Sequence, residues 1–346
     1  MQPGQSFVIS LVLLAALVLL CAALAATLGF LQIPLQEVGT VFSAKLLQRP
    51  LPQEIDATTV SVLFNVRLPR ILAAILIGGA LALCGAVFQA VLLNPLADPY
   101  TLGISTGAAF GASLVIVLQI FGLALPTAVS VPLFAFLGGM ATLAVVLYLA
   151  ADDNRLSSTT LILAGVIVSA ILSAAIGFFK FLADEQVGII IFWLMGSLAG
   201  VSWGQLHMLA PFTLAGALVL CAFGRDLNIM AAGDRTAASL GISIQRLRLF
   251  LVCICSLLTA LAVSVAGIIG FVGLIVPHLL RHLSGPDNRV LLPYSFFAGA
   301  LLLLAADTLT RAVLPSEVPI GVLTALLGGP FFCFLFKKRQ KDGSMF

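Results

Sequence analysis

Asp307 and Arg311 stand four residues apart at the end of a long apolar run. A carboxylate and a guanidinium at that spacing meet on one helical face and neutralise each other, which lowers the cost of a charge near lipid. An unpaired acid at that depth would read instead as a proton-relay station, but the chain offers no second acid at membrane depth to extend a relay. His278 and His282 share the i,i+4 spacing and could hold one metal ion, yet no nearby carboxylate or cysteine completes a coordination shell. The six cysteines (Cys21, Cys84, Cys221, Cys253, Cys255 and Cys333) all fall inside apolar runs, with neither a loop pair for a disulfide nor a zinc spacing. They read as small buried hydrophobes. A phosphate-cradling G-x-x-x-x-G-K-[ST] is absent, because none of Lys45, Lys180, Lys337, Lys338 and Lys341 follows a glycine. No nucleophile–base pair and no haem-ligand set stands out. The chain therefore reads as no enzyme, with no metal or cofactor of its own.

Composition says where such residues must be held. Of 346 residues 61% are hydrophobic and 9% charged, with a mean hydropathy of +1.18. Soluble domains carry roughly 25% charged residues, so most of this surface must face lipid. A soluble enzyme, a nucleic-acid binder and a disordered tail are excluded, and a net charge of +3 is too small to suggest a polyanionic partner. The first thirty residues resemble a signal peptide but lack a basic n-region, and their apolar stretch exceeds the usual length of about 7–15 residues. They read as a retained first span.

A span needs about 20 apolar residues to cross a core of roughly 30 Å. The charge-free runs are 1–36, 71–97, 99–151, 156–179, 186–224, 249–280, 290–306 and 318–336. The run 99–151 holds two spans with a turn near Gly122–Pro126. As one helix, 249–280 would be about 48 Å long at ~1.5 Å per residue, so it is expected to break at Gly267, Gly270 and Gly273, ahead of Pro277. In 186–224 the first part, with the sequence GSLAGVSWG, reads as a short extra helix before a full crossing. The expected fold is an all-α polytopic membrane protein of about ten transmembrane helices, a single transmembrane domain over 1–346 in the cell membrane. Strands are excluded because these runs do not alternate.

With ten spans both termini share one side. The loops on that side hold 11 of the 17 Lys and Arg residues, so the positive-inside rule places both termini in the cytoplasm. Small residues recur every fourth position at Gly103, Gly107 and Gly111, and again at Gly196, Gly200 and Gly204. On helices these would make smooth faces for close packing within the subunit. The cytoplasmic stretch 225–248 is the most informative. Asp234 is an expected N-cap and Gly241 an expected C′ residue of a two-turn helix whose exposed face shows Ala237, Ala238 and Leu240. A helix this short is unstable alone in water, which favours a docked one.

Several long motifs resemble the FecCD/BtuC-type permeases, the membrane subunits of type II ABC importers for iron–siderophores, haem and cobalamin. They are NVRLPRILAAILIGGALALCGAVFQAVLLNPLADPYTLGISTGAAFG (65–111), GDRTAASLG (233–241), GIIGFVGLIVPHLLRHLSGPDNR (267–289), AADTLTR (305–311) and EVPIGVLTALLGGPFFCFL (317–335). The resemblance implies a BtuC-like fold, a permease dimer (identical or paralogous), two cytoplasmic ATPases holding ATP and Mg, and an extracytoplasmic binding protein. It implies that Arg67, Arg70 and Arg311 receive acidic residues of that binding protein. It places ATPase coupling at Leu227, Asp234, Arg235, Ala237, Ala238, Ser239, Leu240 and Gly241, and a cytoplasmic gate at Asn94, Leu96, Ser158 and Thr159. The family often has Asp-His-Arg where this chain has Asp287, Asn288 and Arg289, in a loop expected to lie outside the pathway. Residues 32–62 match nothing usable and read as an extracytoplasmic loop. The expected function is ATP-driven import of an iron complex. The alternative is a gradient-driven secondary transporter, which should show intramembrane acids or broken helices in two matching halves.

Overall fold

The computed structural model describes residues 3–48, 50, 55–151, 156–231, 233, 243–312 and 317–341, and every regular element among them is helical. Helix α1 (Pro3–Thr27) is followed by α2 (Leu35–Leu46) and by α3 (Ala57–Ser61), which runs through a π-helical turn at Val62–Arg67 into α4 (Leu68–Val91). Next come α5 (Ile104–Ile120), α6 (Thr127–Ala150), α7 (Ser158–Leu182), and the short α8 (Val187–Leu194). The chain continues through α9 (Trp203–Ala222), α10 (Gly224–Ala231), α11 (Ile244–Ala266), α12 (Val272–Ser284), α13 (Asn288–Ala312) and α14 (Ile320–Lys341). Below, the outer end is the end carrying Arg67 and Arg311, following the charge-based orientation.

Among the described residues seven helical stretches are long and apolar enough to cross a membrane: Phe7–Thr27, Ala57–Val91, Thr127–Ala150, Ser158–Leu182, Trp203–Ala222, Ile244–Ala266 and Asn288–Ala312. The remaining positions where spans are expected hold shorter elements, α5, α12 and the apolar part of α14 (Ile320–Cys333). The 13 residues of α12 span only about 20 Å. A charge-free run records lipid depth but not where its helix unwinds.

The expected break between α11 and α12 is present at 267–271, and Gly267 opens it at φ +67°. Non-helical backbone inside a bundle is tolerated only where its polar groups find partners. Here they find one another. Ser197 N donates to Ala266 O (2.8 Å), Ile320 N to Gly196 O (3.1 Å) and Gly321 N to Met195 O (3.1 Å). The Tyr100 hydroxyl donates to Ile269 O (2.6 Å) and accepts from Ile269 N (3.2 Å). The short extra helix expected with GSLAGVSWG lies instead ahead of it, at Val187–Leu194, and residues 196–202 are not helical. Gly196 and Gly200 therefore belong to no helical face, a correction to the spacing argument. Gly196 sits at φ +71°, and a Cβ on it would lie 2.4 Å from Ile268 O. Gly107 and Gly111 do lie in α5 and pack against α6.

Helix α4 is the central post, with almost every residue from Pro69 to Val91 buried, while α1 is largely exposed along its apolar length and faces lipid. Without a hydrophobic drive between helices in lipid, close backbone approach supplies the packing. The α4–α13 crossing is built on Gly78 and Gly299, where a Cβ on Gly78 would lie 2.4 Å from Gly299 O. Gly78→Leu should force the crossing apart and cost about 3 kcal/mol. A thermal melt in detergent checks this against Gly177→Leu, which enters open space on α7 and should leave the melt near wild type.

Candidate functional site

At the outer end the helix C-terminus of α1 creates the first demand. The last four carbonyls of a helix lack an intrahelical donor. Leu28 N donates to Leu24 O (3.2 Å) and Ile33 N to Thr27 O (3.1 Å). The two carbonyls between them take arginines. Arg311 donates to Ala25 O, with a second bond to Leu28 O (2.9 Å), and Arg67 donates to Ala26 O (2.6 Å) and also to Leu31 O. Two guanidinium charges thus sit at the negative end of a helix dipole.

The π turn at Val62–Arg67 ends where Arg67 faces α1 and Arg70, three residues on, faces α13. Arg70 Nε donates to both oxygens of Asp307 (2.8 and 3.1 Å), and its Nη1 to both oxygens of Glu317 (3.0 and 3.1 Å). Asp307 is fully buried, and Arg311 Nε lies 3.6 Å from its second oxygen. The i,i+4 pair read from the sequence is therefore the weaker half of a triad whose main partner comes from α4. The π turn also frees the Phe64 carbonyl, which accepts from Trp203 Nε1 (2.8 Å) and ties α9 to the same corner. Lys45 of α2 lies 3.9 Å over the Phe64 ring, so α2 packs onto this corner.

The three arginines expected to meet a binding protein are 4%, 6% and 8% exposed (Arg67, Arg70 and Arg311). Their guanidinium groups are engaged inside the chain, and Glu317, half exposed, is the charge of this network that reaches the surface. Lone motifs such as RLPR report that arginines are present, not that their partners are carbonyls on α1.

At the opposite end, Asn94 accepts from Leu96 N (2.9 Å) and shapes the turn after α4, leaving Leu96 exposed. Ser158, in the first turn of α7, donates to Val91 O at 3.4 Å, with Thr159 beside it on the exposed side. The structure thus brings the end of α4, just ahead of the NPLAD turn, against the start of α7. In the segment 225–248, Leu227 lies in α10 and is completely buried in a core cluster with Leu291 and Leu292. Asp234, Arg235, Ala237, Ala238, Ser239, Leu240 and Gly241 lie outside the described residues. An apolar cavity of about 530 Å³ lies beside the helix breaks, walled by Met195, Ile268, Gly270, Val322 and Leu326. The rings of His278 and His282 meet edge to face at 5.0 Å, and among the described residues no three His, Cys, Asp or Glu side chains converge as for a metal.

A model of the FecCD transport family matches residues 14–338. The chain belongs to the FecCD transport family. The cobalamin import permease BtuC of Halobacterium salinarum is 39% identical over 84% of this chain and 77% of its own length. The hemin transport permease HmuU of Yersinia pestis is 39% identical over 81% of this chain and 84% of its own. Other relatives are named for ferric citrate and molybdate import. A solved ABC transporter of the metal-chelate type, in an inward-facing conformation, superimposes with a TM-score of 0.81 at 33% identity, covering 95% of this chain and 98% of that one. This FecCD chain is accordingly an ABC importer permease, a multi-pass protein of the cell membrane.

Breaking a buried ion pair by removing one partner costs about 3–5 kcal/mol, because the other charge is left unpaired. Asp307→Ala takes the buried carboxylate from between Arg70 and Arg311, leaving Arg70 only the half-exposed Glu317 and Arg311 no carboxylate, and the melting temperature of this FecCD permease in detergent should fall by that equivalent. Glu317→Ala, which removes a half-exposed partner, should cost about 0–1 kcal/mol.

Proposed function

We propose that this permease carries a metal chelate into the cytoplasm, an iron complex first (an iron–siderophore, then haem) with cobalamin as the other candidate, driven by ATP hydrolysis on two separate cytoplasmic ATPases. The likeness in fold to a metal-chelate type ABC transporter across nearly the whole chain carries this reading. The relatives named for haem and ferric citrate support an iron cargo. The path in such a protein needs no ligand set, and the apolar cavity beside the helix breaks suits passage of a bulky chelate without trapping it.

Two copies, or this chain and a paralogue, would enclose the pathway. The turn at Asn94 and Leu96 and the first turn of α7 at Ser158 and Thr159 would close its cytoplasmic mouth. The segment 225–248, with Leu227 rooted in the core and 234–241 beyond it, would receive the ATPase. An extracytoplasmic binding protein would dock on the outer end, where Glu317 is exposed and Arg67, Arg70 and Arg311 shape the surface from beneath. Chemistry stays with the ATPase, which holds ATP and Mg. This chain supplies the path and the mechanical link.

The permease–ATPase complex in liposomes, given the binding protein and labelled ferric siderophores, haem or cobalamin, should accumulate one of them only with ATP and the binding protein together. Uptake that follows a proton or sodium gradient without ATP would establish the secondary-transport alternative instead.

A further inference from the structure

The loop before α13 is not idle. Asp287 closes the first turn of α13: its carbonyl accepts from Val290 N and Leu291 N, and its Oδ1 accepts from Arg289 N at 3.0 Å. The same Oδ1 accepts from Asn228 Nδ2 of α10 at 2.7 Å. Asn228 Oδ1 in turn accepts from Asn288 N at 2.8 Å and from Asn288 Nδ2 at 2.9 Å. One amide side chain thus makes three bonds to two consecutive residues of another helix start, and Asn288 is 4% exposed. Hydrogen bonds from Arg289 first, and from Asn228 after it, hold the Asp287 carboxyl well below the usual carboxylate range, so the acceptor stays charged at neutral pH.

A second observation is independent of these bonds. One helical turn before Asn228, Gly224 lies so close to α13 that a Cβ on it would sit 3.0 Å from both N and Cα of Arg289. Between the two, Leu227 inserts fully among Leu291 and Leu292. Positions 224, 227 and 228 form one face of α10, and all three address the same turn of α13. From that turn α13 runs against α4 through Gly78 and Gly299 and ends at Asp307 and Arg311, in the outer charge network.

We propose that Asn228 is the positioning residue that locks α10 to the first turn of α13, so that displacement of the segment 225–248 moves the α4–α13 pair rather than slipping past it. This rests on the reading of 225–248 as the ATPase contact. The expected effect follows from the chemistry of an amide clasp. Asn228→Ala removes one donor and one doubly used acceptor, and Asn228→Asp keeps the acceptor but opposes the Asp287 carboxylate. Pairing Asn228→Asp with Asp287→Asn restores a donor facing an acceptor with the roles exchanged.

In the full permease–ATPase complex in liposomes, the ratio of ATP hydrolysis with and without the binding protein should fall at least tenfold in Asn228→Ala and in Asn228→Asp. It should return to within twofold of wild type in the paired variant, a rescue that a merely destabilised helix would not show. Amide exchange of residues 225–231 in the permease alone, in nanodiscs, should be at least tenfold faster in Asn228→Ala. Should the wild-type complex show no ATP response at all, the importer reading fails while exchange still decides the clasp. Wild-type exchange in Asn228→Ala, an unaltered hydrolysis ratio in a responsive complex, or an unrescued pair would overturn the proposal.

Discussion

A carbonyl without a donor costs several kcal/mol in hydrocarbon, and every irregularity in this bundle is arranged around that fact. The end of α1 is the clearest case. Two of its four open carbonyls are met by backbone amides that follow in the chain, and the other two by Arg67 and Arg311. Once two guanidinium groups have been drawn inside, counter-charge must follow. Asp307 supplies it from α13 and Arg70 joins from α4. The outer ends of α1, α4 and α13 are therefore held by one continuous polar network in which each member answers another's unmet demand.

The same constraint governs the middle of the bundle. Unwound backbone at 195–202, 267–271 and the start of α14 would be untenable singly. Placed together, these stretches exchange their amides and carbonyls, with Tyr100 closing the set. Glycines at 196 and 267 permit the approach because both adopt φ near +70°. The open apolar pocket beside this junction is lined by all three segments, through Met195, Ile268, Gly270 and Gly321.

At the end opposite the charge network the demand is met by side-chain amides. Asn228 answers the exposed start of α13, while Leu227 and Gly224 provide contact above and below it. Since α13 reaches from this clasp to Asp307 and crosses α4 at a glycine pair, the two ends of the molecule share one stiff element.

Much of this was legible in the chain itself. Nine per cent charge over 346 residues compels a lipid-facing surface, and charge-free runs of spanning length that do not alternate compel helices, since only helices and closed barrels satisfy backbone in hydrocarbon. The break after Gly267, the short helix ahead of α9 and the family motifs are likewise local signals. What the sequence could not state is which distant group answers a given charge. Arg70 and Asp307 are separated by 237 positions, and Asn228 and Asp287 by 59. Arg311 stands at the right spacing for Asp307 and yet is its lesser partner, because a closer guanidinium arrives from α4 and the carbonyls of α1 compete for Arg311. Gly196 and Gly200 kept helical spacing without forming a helix, and at Gly196 a close tertiary contact with Ile268 holds the backbone at φ +71°. Spacing along the chain determines what can lie on one face of one helix; only packing determines which face meets which.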